Sequence, residues 1–447
     1  MSDWADRNLH FIGIGGAGMS GLALVCARLG ATVTGSDRAD SSYMERLQAA
    51  GLEPVVGHDA ANLPEGAEVV VSTAIGEDNP ELALARERGV EPIHRGELLA
   101  ELCAEKRLIA IAGTHGKTTT TAMIVWALQA LGGDPAFFVG GEVPALGTGG
   151  AAANSGWGEG EWVVAEADES DGSFLELEPE IAVVTNVEMD HHAKWHSLEQ
   201  LVGAFREFLF TAKAAVLPWE AEDPGQRPSY RTAAEILYGD WSHKPGRVLR
   251  FGPASPGPRP LPLAVPGAHN KLNGRAALAS LEAAGFDLDA AAAALADFPG
   301  VRRRLELKGS RGPVHIYDDY GHHPTEVRAA LEALREQQPS RLIAVFQPHL
   351  FSRTKALAEE FGAALTVADE VVVLDVYGAR EDPEPGVSGA LVAENVPLAA
   401  EHVRFVPRWA EVPAVVAGVA RSGDLVITMG AGDITVLAPE ILLELSR

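Results

Sequence analysis

The sequence predicts an α/β protein of three successive units, each built on a mostly parallel sheet. Three observations carry that expectation. Apolar strand-like runs alternate with longer helix-like stretches almost throughout the chain. The alternation closes near residue 100, restarts, and restarts again near FPGVRRRLE (298–306). At 447 residues the length suits about three domains of ordinary size.

In the first unit LHFIGI (9–14) reads as a strand, and the helix MSGLALVCARLG after it is ended by Gly30. ATVTGSD (31–37) is a second strand, SYMERLQAAG a helix, and AEVVVST (67–73) a third strand. That β-α-β-α-β order implies a parallel sheet with right-handed crossovers. The second unit opens with strand, glycine loop, helix and glycine stop over KRLIAIAGTHGKTTTTAMIVWALQALGG (106–133). EWVVAEADES (161–170) and PEIAVVTNVEMDHH (179–192) are strands with polar ends. Residues 218–268, rich in Pro and Gly, read as loops with short antiparallel strands on the sheet edge. HNKLNGRAALASLEAAG (269–285) is a helix ended by Gly285. The third unit offers the strands VHIYDDY (314–320), RLIAVFQ (341–347), EVVVLDVY (370–377) and DLVITMG (424–430). Its helix PTEVRAALEALRE carries Pro324 at a favoured first position. EDPEPGVSG, between 378 and 400, reads as a mobile loop.

Hydrophobic residues make up 47%, enough for several cores. Acidic residues number 62 against 36 basic ones, a net charge of −26. That excludes nucleic acid and anionic membrane as expected partners, because both demand a basic surface. An anionic substrate is still compatible, held by a local cluster of Arg, Lys and helix N-termini. Only Cys26 and Cys103 occur, both in apolar helix-like settings, which fits a reducing compartment better than a disulfide framework. MSDWADRNLH has no signal-peptide core, and no apolar run reaches the roughly 18 residues of a membrane helix. A cytoplasmic protein without membrane insertion is expected.

Gly13, Gly15 and Gly18 fit G-x-G-x-x-G after the first strand, and Asp37 follows nineteen residues past Gly18. That pattern alone does not say which diphosphate the loop binds. AGTHGKTTT (112–120) is the more specific motif: a strand, a glycine turn, Lys-Thr, then a helix. Backbone N–H groups of such a turn cradle phosphates, Lys117 sits against the β/γ-phosphates, and the Thr118 hydroxyl ligates Mg²⁺. Ile111 stands five residues before Gly116, so the loop is a G-x-x-G-K-T variant of the general pattern. EADESD (166–171) follows a buried-looking strand, where ligands of such sheets gather. Glu166 is the first choice for a Mg²⁺ ligand there and Asp168 the alternative. His191 and His192 in TNVEMDHH are either a capped turn or cation ligands. DDYGHHPTE (318–326) and FQPHLFSRT (346–354) each link a strand to a helix, and two polar clusters of that kind suggest a shared cleft. VRRR (301–304) is either a basic hinge or a clamp on a transferring phosphoryl group. Zinc-spaced Cys/His sets and a G-x-S-x-G elbow are absent from the sequence. Phosphate cradle, metal acids and arginines together point to phosphoryl transfer from ATP.

GIGGAGMSGLA, GTHGKTTTTAM, EADESDGSF, TNVEMDH, GAHNKLN, FPGVRRRLE, DDYGHHPTE and FQPHLFSRT occur in the order of the Mur ligases, which the chain resembles from residue 9 to about 435. The resemblance implies a Rossmann-like N-terminal domain for a UDP-sugar (1–104) and a central P-loop ATPase-type domain with a mostly parallel sheet (105–298). It also implies a C-terminal Rossmann-like α/β domain that closes on ATP and binds an amino acid (299–447). Within the family GAGMSGLA and NVEMDH favour the branch that joins L-alanine to the lactyl carboxylate of UDP-N-acetylmuramate. That reaction runs through an acyl phosphate and releases ADP and phosphate. The alternative branch adds a recycled tripeptide to the same UDP-sugar. ATP and Mg²⁺ are the implied cofactors, and a monomer or weak homodimer is expected.

Residue by residue, the resemblance implies that Gly113, Thr114, His115, Gly116, Lys117, Thr118, Thr119, Asn270, Asn273, Arg303 and Asp319 meet ATP. Gly15, Gly16, Ala17, Gly18, Met19, Ser20, Asp37, Ser72, Thr73 and His323 meet the UDP-sugar, whose diphosphate the first loop then holds. Thr118, Glu166 and His191 hold the metal. Lys117, His191, Arg303, His349 and Arg353 are the implied catalytic set. Leu350 and Phe351 depart from the family pattern, where many relatives carry Arg-Tyr, so no contact is carried over to them.

Overall fold

The computed structural model describes residues 4–147, 152–190, 194–218, 246–379 and 381–447. The first sheet has five strands: β1 (Asn8–Ile12), β2 (Thr32–Asp37), β3 (Val55–Val56), β4 (Glu68–Val71) and β5 (Ile93–His94). All pair in parallel, in the order β3-β2-β1-β4-β5. The three expected strands are its centre. The two edge strands escape sequence reading because two residues carry no period. The chain leaves β1 in both directions, so a crevice opens at the carboxyl ends of β1 and β4, where such sheets bind ligands. The Gly13–Gly16 turn lies there, ahead of helix α1 (Ala17–Arg28). Gly30, at φ +105, ends that helix where a side chain would be strained.

The second sheet has seven strands: β6 (Arg107–Ala112), β7 (Ala136–Val143), β8 (Ala153–Gly156), β9 (Trp162–Glu166), β10 (Ile181–Val184), β11 (Ala214–Pro218) and β12 (Arg247–Phe251). Their order is β12-β11-β10-β6-β9-β7-β8. Central β6 is apolar on both faces, as a covered parallel strand must be. One expectation is corrected here. The edge strand from the Pro/Gly-rich stretch, β12, pairs with β11 in parallel, and the antiparallel pair is β7–β8 at the opposite edge. The chain between β11 and β12 is long enough for a crossover, whereas β7 and β8 are joined by a short return. The loops expected within 219–245 lie outside the described residues.

Helix α1 packs on β7 and β8. A Cβ added at Gly21 would stand 3.2 Å from the Ser155 Cβ, and Asn154 Nδ2 donates to the Ala17 carbonyl at 2.6 Å. Arg46 donates to Glu142 Oε1 at 3.2 Å and to Asn154 Oδ1 at 3.0 Å. The first two sheets accordingly form one compact unit, residues 1–263 with 272–298, and a second unit comprises 264–271 with 299–447.

In the second unit the strands are β13 (Glu306–Arg311), β14 (Val314–Asp319), β15 (Leu342–Phe346), β16 (Glu370–Val373), β17 (Val403–Phe405) and β18 (Leu425–Met429). The order is β13-β14-β18-β15-β16-β17, parallel except for the β13–β14 hairpin. β13 is polar and largely exposed, so its sequence lacks an apolar strand signal. EDPEPGVSG, expected as a loop, holds no helix or strand up to Ser388, and a short helix, Gly389–Glu394, anchored by buried Val392, begins at its last residue. Among the described residues no helix is long and apolar enough to cross a membrane.

Candidate active site

The second glycine turn joins β6 to helix α5 (Lys117–Ala130). Gly113 and Gly116 have φ of +127 and +81. A Cβ at Gly113 would lie 2.2 Å from Thr185 Oγ1, and one at Gly116 would lie 2.4 Å from Asn273 Oδ1. Both positions therefore exclude side chains by conformation and by space. The turn is braced by the polar end of β10. Thr185 Oγ1 and Asn186 Nδ2 donate to the His115 carbonyl at 2.5 and 2.8 Å, and the His115 N–H donates to Asn186 Oδ1 at 2.9 Å. The Glu188 N–H donates to Thr114 Oγ1 at 2.9 Å, and His115 Nε2 lies 3.1 Å from Glu188 Oε2. These bonds fix the shape of the turn without a ligand.

Lys117 Nζ donates to the Gly113 carbonyl at 2.6 Å and pairs with Glu169 Oε2 at 2.9 Å. Burial opposes the ammonium charge, but the carboxylates of Glu169, Asp168 and Glu166 outweigh it and hold the Lys117 pKa above its usual value. Thr118 Oγ1 donates to Glu166 Oε1 at 3.2 Å, and the Gly140 N–H donates to Glu166 Oε2 at 2.8 Å. Two of the three expected metal ligands are thus adjacent, and their oxygen donors are of the kind Mg²⁺ takes. The third, His191, and its neighbour His192 lie outside the described residues. Asp168, the alternative ligand, instead accepts from Arg95 Nη2 at 2.8 Å. Burial would raise its pKa, yet the charges of Arg95 and Lys117 hold it well below the carboxylate range. Thr119 is buried in the first turn of α5.

At the first turn Gly13 has φ +83, and the Gly15 N–H donates to Asp37 Oδ2 at 2.8 Å. Asp37, expected at the UDP-sugar, also braces the turn itself. Gly16 caps α1, which starts at Ala17, and Gly18 lies in its first turn. Met19 and Ser20 are buried, Met19 within the apolar core, so they can serve a ligand only through their backbone. Ser72 and Thr73 follow β4 at the same carboxyl rim.

Asn273 stands beside Gly116, and Asn270 lies one turn earlier on the same helix, Ala268–Ala283, with its Nδ2 donating to the Pro266 carbonyl at 2.7 Å. Within the second unit Arg303, at φ +57, donates from Nη2 to the Gly430 and Gly432 carbonyls at 2.7 and 2.8 Å. Asp319 accepts from the Leu305 N–H at 2.8 Å and the Gly321 N–H at 2.7 Å, and burial lifts its pKa to about 6 against those bonds and the Arg304 charge. His323 is buried and caps the helix Pro324–Arg335 through Nδ1. The two polar motifs, expected to share a cleft, meet through their aromatic rings. Tyr320 packs edge-on to His322, His322 edge-on to His349, and His349 stacks on Tyr377 with centroids 5.8 Å apart. Arg353, buried, lies 3.3 Å from His349 Nδ1. Leu350, one of the two departures, caps the helix Phe351–Leu365 at φ +68, a conformation in which a branched side chain is strained.

Glu169, Asn186 and Glu188 were not singled out by the sequence, although all three lie inside motifs that were. In a loop, spacing does not say which of four acids turns inward, and the brace under the second glycine turn needs the fold of β10 beside β6.

Comparison with known proteins agrees with this geometry. The profile of the Mur ligase family catalytic domain matches residues 8–107, that of the Mur ligase middle domain 111–240, and that of the Mur ligase glutamate ligase domain 303–432. The UDP-N-acetylmuramate–L-alanine ligase of Mycolicibacterium gilvum is 47% identical, over 98% of this chain and 96% of its own. That of Kineococcus radiotolerans is 46% identical, over 97% and 95%. The crystal structure of the UDP-N-acetylmuramate-alanine ligase MurC from Thermotoga maritima superposes with a TM-score of 0.81 at 29% identity, covering 98% of this chain and 99% of that one. A murein peptide ligase from Psychrobacter arcticus shares the fold, with a TM-score of 0.71 at 23% identity. The chain belongs to the Mur ligase family.

Proposed function

We propose that the protein is an ATP-dependent ligase that joins L-alanine to the lactyl carboxylate of UDP-N-acetylmuramate in peptidoglycan precursor synthesis. The carrying observation is the second glycine turn, with Lys117 poised on an exchangeable carboxylate and Thr118 beside Glu166. The full-length relatives at 46–47% identity support the choice of substrates. We assign 1–104 to the UDP-sugar, 105–298 to ATP and 299–447 to the C-terminal domain.

The lactyl carboxylate attacks the γ-phosphorus of ATP, breaking its bond to the β-γ bridging oxygen and giving ADP and an acyl phosphate. The neutral amine of L-alanine adds to the acyl carbon, and the tetrahedral intermediate expels phosphate as the amide forms. The amine proton passes to solvent or to a nearby base. Lys117 exchanges Glu169 for the phosphates and follows the charge that develops on them. Backbone N–H groups of 113–118 orient the chain of phosphates. Thr118 and Glu166, with His191 by resemblance, would hold Mg²⁺, which when bound supplies charge neutralisation for the phosphates. The remaining assignments rest on the resemblance: Asn270, Asn273, Arg303 and Asp319 to ATP, His323 to the UDP-sugar, and His349 and Arg353 to the reacting groups. A cytoplasmic monomer or weak homodimer completes the reading.

Phosphate release is measured with ATP, Mg²⁺ and UDP-N-acetylmuramate, with and without L-alanine. Turnover that needs L-alanine supports the proposal, whereas turnover that needs the tripeptide L-alanyl-γ-D-glutamyl-diaminopimelate assigns the recycling reaction instead. Lys117→Ala lowers kcat on the order of 10²-fold or more; wild-type turnover in that variant removes Lys117 from the site.

A further inference from the structure

Arg95 opens helix α4 (Arg95–Ala104) at the carboxyl end of β5, on the rim where the first glycine turn leaves β1. One nitrogen of its guanidinium is anchored: Nη2 donates to Asp168 Oδ2 at 2.8 Å and to Asp171 Oδ2 at 2.9 Å. Nε and Nη1 have no hydrogen-bond or ion-pair partner among the described residues. Nη1 lies beside the turn, since a Cβ added at Gly18 would stand 3.4 Å from it. The side chain is 23% exposed, so a ligand on the rim can reach it.

The anchor is stiff. A Cβ at Gly96 would meet the Ser173 Cβ at 2.4 Å, so the start of α4 lies directly on the loop that carries Asp168 and Asp171. The Asp171 carboxylate accepts from the Ser173 N–H at 2.9 Å, and Asp168 accepts from the Ser170 N–H at 3.0 Å. His94 Nε2 adds a third group near Asp171, at 3.8 Å. A strut between two carboxylates and a helix start needs only a point charge, which Lys supplies. A guanidinium with one nitrogen fixed and a fork of donors left over is the form that meets a phosphate at two oxygens.

We propose that Arg95 is a phosphate ligand for the nucleotide held at the first glycine turn, with Asp168 and Asp171 orienting its guanidinium from behind. The proposal rests on the assignment of that turn to a UDP-sugar. It adds a cation to a turn otherwise made of backbone N–H groups, and it ties the bound diphosphate to the acidic loop whose next residue, Glu169, holds Lys117. Arg95 is a binding residue, and Asp171 a positioning residue acting through it.

The test is calorimetric binding of uridine, UDP and UDP-N-acetylmuramate to the full chain, with ATP binding as a control. Arg95→Ala weakens UDP and the UDP-sugar roughly 10- to 100-fold and leaves uridine unchanged, because only the phosphate contact is lost. Arg95→Lys keeps the ion pair with Asp168 and the thermal midpoint, yet loses affinity for UDP and not for uridine. Asp171→Asn weakens UDP in the same direction by a smaller factor. A merely structural role for Arg95 lowers all three affinities together, and that pattern overturns the proposal, as does unchanged UDP affinity in Arg95→Ala. If the wild-type chain binds no uridine nucleotide, the assignment of the turn is what fails.

Discussion

Glu81 is fully buried in the first sheet's outer layer, on the helix Pro80–Glu87. Its Oε2 accepts from Ser36 Oγ at 2.6 Å and from His10 Nε2 at 3.1 Å. Its Oε1 accepts from the Asp59 N–H at 3.1 Å and Asn62 Nδ2 at 2.9 Å. Burial alone would raise the carboxyl pKa, but the bonds from His10, Ser36, Asn62 and Asp59 overcome it and hold it down at about 2. Glu81→Ala leaves the buried Nε2 of His10 without its partner, while the Ser36 hydroxyl still has His58 Nδ1 at 2.8 Å and water can reach Asn62 and Asp59. One buried orphan gives a loss of roughly 1–3 kcal/mol. Linkage gives a similar size: a carboxyl held at about 2 rather than 4.5 stabilises the fold by roughly 3 kcal/mol at neutral pH. The folded pKa is depressed, so this contribution is complete above the unfolded value and is lost as pH falls from about 4.5 to about 2. Glu81→Gln keeps one acceptor oxygen, and Ser36 can rotate to accept from the new amide, so it costs less than the alanine change. A chain with more than one compact unit need not unfold in one step. Native-state hydrogen exchange across Asn8–Ile12 and Thr32–Asp37, at neutral pH in dilute urea, therefore reads the local loss. Protection in Glu81→Ala within about 1 kcal/mol of wild type refutes the reasoning, as does an equal effect of Gln and Ala.

Two further outcomes follow from the geometry. Gly116→Ala forces a left-handed residue to carry a Cβ 2.4 Å from Asn273 Oδ1, so binding of a fluorescent ATP analogue weakens about tenfold or more; unchanged affinity would show that the turn is not the phosphate cradle. Asp319, lifted to about 6 from 3.8, binds its proton in the folded state where the unfolded chain has lost it. Stability of the second unit accordingly falls by up to about 3 kcal/mol as pH rises from about 4 to about 6. Urea unfolding between pH 4 and 7.5 measures that slope, and an equal slope in Asp319→Asn rules Asp319 out as its source.

The central strands of all three sheets, the helices after them and both glycine turns are written in the sequence, because apolar period and glycine position are local properties of the chain. β6 with Lys117 and Thr118, β1 with Gly13 and Gly15, and Pro324 at its helix start all follow from neighbours a few residues apart. The two-residue strands β3 and β5, the polar edge β13 and the parallel pairing of β12 do not, since each is defined by the strand it lies against. The same division runs through the site. Residue chemistry marked EADESD as a charged strand end, but only the packing of β9 beside β6 gave Glu166 to Thr118 and Glu169 to Lys117, and only the packing of the helix Arg95–Ala104 on that loop gave Asp168 to Arg95. Four acids in six residues are nearly equivalent as sequence. They become different once burial, a lysine and an arginine from distant segments meet them, because the energy of a charge depends on what surrounds it in space.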